Sequence, residues 1–173
     1  MSTDEEERGA VEPPTARDDV IAIIGGGLIG AAGGFVGTAL MTVALMIGQA
    51  IGVFDLGAFA SIAELIELDE LFPQSTLSAI GYFIFLAGGM TAWPLLFASV
   101  ERYLPGATLS RRGMSFGTVL WTGFVLAFSE ALPPLATQRT IALYAGITLL
   151  AHWLYGFGLG LVFEYFATRD LLL

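Results

Sequence analysis

The chain has no cysteine, a single histidine, and charge on only 13% of its 173 residues. Without cysteine there is no disulfide framework, no thiolate nucleophile and no Cys-based metal or iron–sulfur site. One imidazole cannot supply bis-histidine haem ligation or a His-rich metal cluster, so no cofactor is expected. Lysine is also absent: all seven basic residues are arginine, and the net charge is −9. With no basic patch to neutralise phosphates, nucleic acid is not an expected partner. An acidic, lysine-free chain fits a high-salt cytoplasm, where dense carboxylates hold hydration and counterions, and a halophilic archaeon is the expected source.

What remains is apolar. Hydrophobic residues make up 55% of the chain and the mean hydropathy is +0.76, whereas an ordinary soluble domain is about 25% charged. The decisive stretch is Val20 to Gly37, VIAIIGGGLIGAAGGFVG. Gly25, Gly27 and Gly30 match G-x-G-x-x-G, which after a strand would cradle a dinucleotide pyrophosphate. Gly26, Gly30, Gly33 and Gly37 also fall within about 60° of arc on a helix, a small-residue stripe of the kind that lets bilayer helices pack closely. A dinucleotide fold needs an acid about 20 residues on and then a soluble sheet. Here further apolar runs follow, so the membrane reading prevails.

The expected fold is all-α: a polytopic membrane protein with four transmembrane helices in a Gly-rich bundle. Residues 1–19 carry seven acids and two arginines and read as a disordered acidic tail. Residues 20–170 form the transmembrane domain, with spans near 21–48, 76–100, 114–132 and 140–166. Pro94 should bend the second span. Between the first two, Asp55 to Gln74 reads as a short interfacial or re-entrant segment, with Glu64 and Glu67 three residues apart on one helical face. Arg8, Arg17, Arg102, Arg111, Arg112 and Arg169 fall on one side of this plan and Arg139 on the other. The positive-inside rule then puts the protein in the cytoplasmic membrane with both termini cytoplasmic.

His152 is the sharpest polar residue, about 12 residues or 18 Å from the outer end of the fourth span, near the bilayer midplane. An ionisable group at that depth faces the interior and needs a partner. Thr38 and Thr122 lie at a similar level and are the expected partners. Gly156 and Gly160 form G-x-x-x-G just after it, with Gly158 between, and the stripe from Gly26 to Gly37 is expected to dock there. Glu130, before Pro133, has Arg139 as its nearest cation. Glu164 is expected to pair with Arg102 or Arg111, or to reach water. Ser115 and Ser129 lack a nearby base for triad chemistry.

The glycine-rich first helix with GFVGTALMTVALM, the turn Tyr103-Leu104-Pro105-Gly106, the proline near Pro133 and the run from His152 to Gly160 resemble a family of small four-helix membrane proteins of unknown function from archaea and bacteria. They are more loosely similar to YagU-like inner-membrane proteins. The resemblance implies the four-helix fold and no activity. The expected function is non-enzymatic: an accessory or assembly subunit that packs in the bilayer against a larger membrane complex or a second copy of itself. The alternative is a small oligomeric transporter or channel using His152 as a midplane proton-handling group.

Overall fold

The computed structural model describes residues 16–127 and 137–169. Every regular element among them is helical. In order they are α1 (Ala16–Ala50), α2 (Ala60–Glu64), α3 (Gln74–Met90), α4 (Ala92–Val100), α5 (Leu109–Ala127) and α6 (Gln138–Ala167), with short 3₁₀ turns at Leu56–Phe59, Leu68–Glu70 and Glu101–Tyr103. Three stretches, Ile23–Ala50, Gln74–Tyr103 and Gln138–Ala167, are long and apolar enough to cross a membrane, as expected of a membrane protein.

The expected third span, 114–132, overlaps α5 and then runs into residues outside those described. α5 is 19 residues long but opens with Leu109-Ser110-Arg111-Arg112, which lowers its hydropathy. The tail up to residue 15, Ser129, Glu130 and Pro133 also lie outside the described residues. α1 begins at Ala16, four residues before the expected boundary, and runs unbroken through Gly25, Gly27 and Gly30. The strand-to-turn geometry of a nucleotide site is therefore missing from this stretch.

Proline breaks the second span, and the break lies upstream of it. Pro94 has no N–H and its ring crowds the carbonyl four residues back, that of Met90. α3 ends there, Thr91 takes up φ −123° and ψ −73°, and α4 restarts at Ala92. The Thr91 hydroxyl bonds back to the Ala87 carbonyl at 2.7 Å.

Residues 55–71 are a chain of short turns pinned to α3. Asp55 caps the first turn by accepting from the Gly57 N–H at 2.8 Å, and Phe59 and Ala63 are buried. Gly81 leaves no room for a Cβ, which would lie 1.8 Å from the Phe59 carbonyl oxygen. Glu67 sits beyond the end of α2 at φ 62°, in the left-handed region. Glu64 and Glu67 therefore do not share a helical face, because the helix has already ended.

The long helices pack in sequence around one side: α5 along α6, α6 along α1, and α1 along α3 and α4. Glycines set the closest approaches. A Cβ on Gly156 would lie 1.8 Å from the Gly113 carbonyl oxygen, one on Gly117 2.2 Å from that of His152, and one on Gly160 2.2 Å from that of Leu109. Gly156 and Gly160 thus face α5. This corrects the expectation that they receive the α1 stripe.

The α1 stripe divides its contacts. Gly33 abuts Leu159 of α6, and Gly37 lies 2.5 Å from the Tyr155 carbonyl oxygen when given a Cβ, with Gly158 of α6 opposite Gly37. Gly30 meets Pro94 at 3.3 Å, and Gly34 has no room beside the Gly89 carbonyl oxygen, at 2.1 Å. Gly26 meets nothing within 4 Å. The stripe is a two-sided seam because α1 sits between α6 and the α3–α4 break.

Candidate functional site

On the fourth side of this arrangement α5 does not pack along α3 and α4. At the loop end the gap is closed by Phe97, Phe116 and Phe163, with Phe97 and Phe116 centroids 5.4 Å apart and Phe163 edge-on to Phe97 at 5.5 Å. Below them the polar loop is tied by an Arg112–Glu101 ion pair and by the Ser115 hydroxyl donating to the Pro105 carbonyl at 2.7 Å. At the other end Phe54 stacks on Tyr144, centroids 6.1 Å apart, and meets Phe59 edge-on. Between these aromatic closures lies a cavity of about 680 Å³. That is within the range of about 300–1,000 Å³ typical of small-molecule sites.

Its walls come from every long helix. Met41 and Leu45 of α1, Phe85 and Gly88 of α3, Trp93 and Leu96 of α4, Leu120 and Gly123 of α5 and Tyr155 of α6 all line it. Among the described lining residues there is no Asp, Glu, Lys or Arg. The rim is outward-facing: Val119 is 60% exposed and Leu96 43% exposed. The cavity is therefore a lateral cleft, open through an exposed apolar rim on α4 and α5.

Besides the Trp93 indole, four polar side chains line the apolar space: Thr38 from α1, and Tyr144, His152 and Tyr155 from α6. The three α6 residues, with Thr148, fall within about 80° of arc on that helix. Tyr155 donates to the Gly89 carbonyl at 2.8 Å, just before the α3–α4 break. Backbone at membrane depth is tolerated in such a break only when neighbouring groups satisfy it. Gly89 is glycine because a Cβ there would lie 2.3 Å from Thr38 Oγ1. The Thr38 and Tyr144 hydroxyls are buried and have no hydrogen-bond partner among the described residues.

His152 Nδ1 lies 2.7 Å from the Thr148 carbonyl oxygen of its own helix. That contact requires the proton on Nδ1, leaving Nε2 with a lone pair. The ring tilts against Phe124 at 5.2 Å. Neither expected partner bonds it. Thr38 is buried against Gly89, and Thr122 is exposed and donates to the Thr118 carbonyl at 3.0 Å. Intrahelical bonding wins because the carbonyl four residues back lies directly under the side chain.

Glu164 likewise takes neither Arg102 nor Arg111. Its Oε2 accepts from the Ser110 N–H at 3.1 Å and the Ser110 hydroxyl at 2.9 Å, placing a carboxylate on the N-terminus of α5 where the helix dipole favours it. No group of three His, Cys, Asp or Glu residues able to hold a metal occurs among the described residues.

The sequence reading singled out His152 and Thr38 and missed the two tyrosines. Tyr144 and Tyr155 were visible as a polar stripe at spacings of four, four and three with Thr148 and His152. Trp121 and Trp153, whose indole N–H groups donate to Thr148 at 3.0 Å and Thr118 at 2.9 Å across the α5–α6 seam, carried no sequence signal beyond being aromatic.

A family model described as a family of unknown function, DUF6789, matches residues 24–172. The chain belongs to this family. The match takes in every element that builds the cleft, from α1 to α6. No curated protein and no solved structure matches the chain. The family therefore supplies no activity, and function must be argued from the cleft.

Proposed function

We propose that this DUF6789 protein is a non-enzymatic membrane protein that holds a lipophilic molecule in the lateral cleft between α5 and α3–α4. The observation that carries the reading is an apolar cavity of about 680 Å³ whose rim is exposed at Val119 and Leu96. Such a site takes its ligand from the bilayer rather than from water. An accessory subunit of this kind would present or buffer a membrane-dissolved molecule for a larger complex. The channel alternative using His152 is less well served, since the lining offers an ion little but apolar wall.

In the same reading the chain crosses the membrane four times, with α5 belonging to the third crossing. Arg102, Arg111, Arg112 and Arg169 then lie on the cytoplasmic side with both termini, by the positive-inside rule. A looser kinship with YagU-like proteins and a high-salt source belong to this reading and rest on sequence alone. The lack of native cysteine makes topology easy to test. A single cysteine at Arg102 should react with an impermeant maleimide only from the cytoplasmic face, and one at Thr137 only from outside; both reacting from one face would contradict four crossings.

Self-association is a second reading, favoured by a groove of about 510 Å³ between α1 and α4, lined by Gly26, Gly27 and Gly30. The test of the main reading is organic extraction of protein purified in mild detergent from its native membrane. Near one lipophilic molecule per chain is expected. An extract holding only bulk phospholipid in detergent-dependent amounts would overturn it.

A further inference from the structure

We infer that the cleft selects an uncharged lipid with a flat ring head bearing two hydrogen-bonding oxygens, the chemistry of a quinone or quinol. The inference rests on the cleft being a lipophile site, and it names the ligand class.

Charge is the first filter. The absence of any Asp, Glu, Lys or Arg from the described lining leaves a phosphate or ammonium head uncompensated in a low-dielectric space. Phospholipid heads are excluded on that ground. Hydrocarbon is excluded by the opposite feature. Thr38 is 0% exposed and Tyr144 7% exposed, both line the cavity, and the hydroxyl oxygen of each lacks a partner among the described residues. Buried hydroxyls left unmatched are destabilising, and a small turn of either side chain towards the cavity would let a ligand carbonyl relieve it.

Donor and acceptor roles then fit both oxidation states of such a ring. Thr38 and Tyr144 can donate to ring carbonyls. His152 has its Nδ1 committed to the Thr148 carbonyl at 2.7 Å, so Nε2 is an acceptor suited to a ring hydroxyl. Tyr144 and His152 are eight positions apart on α6, about 12 Å along the axis, so a quinol can accept from Tyr144 at one end and donate to His152 at the other, whereas a quinone is held by the Tyr144 and Thr38 donors alone. Flat walls are at hand in Phe124 beside His152 and in Phe54 stacked on Tyr144, where offset ring contacts are favourable.

The test is a titration of the full-length protein in nanodiscs with decyl-ubiquinone, read by quenching of Trp93, which lines the cleft. Squalene serves as the hydrocarbon competitor. Saturable quenching is expected, weakened about five- to tenfold in Thr38→Val and in Tyr144→Phe, as for loss of one hydrogen bond. Squalene should compete at least tenfold more weakly. Thr38→Val should melt at the same temperature as wild type or higher, since it removes a buried unpartnered hydroxyl, so weakened binding cannot be ascribed to misfolding. If both variants bind like wild type, or squalene competes as well as the quinone, the ring-head assignment falls and the lipophile site stands. If neither probe binds wild type, the underlying reading falls with it.

Discussion

The α6–α1 seam, with α5 packed along α6, and the α3–α4 side of this protein draw on long helices of similar apolarity and are packed in opposite ways. In the 18-residue window that qualifies each stretch as a membrane span, 50% of α1 and 44% of α6 is buried, against 17% of α3–α4. On the first side glycines meet glycines, Gly156 on Gly113 and Gly37 on Gly158, and nothing larger fits. Lipid tails are as apolar as leucine, so bilayer helices gain from close van der Waals contact and small residues provide it. On the second side Trp93, Leu96, Val119 and Leu120 stand apart around a cavity. Hydrophobicity alone does not decide which helices close; side-chain size at the seam does.

This contrast can be broken most severely at Gly156. Gly156→Leu drives a side chain into the Gly113 backbone, where even a Cβ would lie 1.8 Å from the carbonyl oxygen. We expect a loss of about 3 kcal/mol or more, seen as collapse of the thermal transition or loss of folded protein on size exclusion. A smaller loss is expected for Tyr155→Phe, which leaves the Gly89 carbonyl at the helix break without its 2.8 Å donor. About 1 kcal/mol, read as a lower melting temperature in detergent, is the expected cost.

Glu164→Ala should cost less, about 0.5 kcal/mol, by uncapping α5 at Ser110. The smallest effect on stability is expected at Gly123, on the cleft side of α5, where a Cβ meets nothing within 4 Å. Gly123→Leu should leave the melting temperature unchanged or raise it slightly, because glycine is a poor helix former. A glycine-to-leucine change that wrecks one seam and is tolerated at the other would sharpen the comparison.

Much of the helix plan was legible in the sequence. The apolar run after Val20 and the uncharged run around His152 located α1 and α6, and Pro94 announced the break at Thr91. The pairing of faces was not legible. A bilayer helix is apolar all round, so the periodicity that orients a soluble helix is nearly absent. Gly156 and Gly160 could equally have served α1 or α5, and only the fold gives them to α5. The cleft was harder still, because an unfilled space between helices has no residue of its own. His152 and Thr38 drew notice by their chemistry and depth, while Tyr144 and Tyr155 acquire meaning only when the neighbouring helices enclose one cavity beside α6.

The central claim is that the α3–α4 and α5 walls enclose a binding cleft. Native mass spectrometry of detergent-released wild type and Gly123→Leu tests it most directly. One lipophilic adduct per chain on wild type and none on an equally stable Gly123→Leu is the predicted result. The same adduct on both proteins, or on neither, would contradict it.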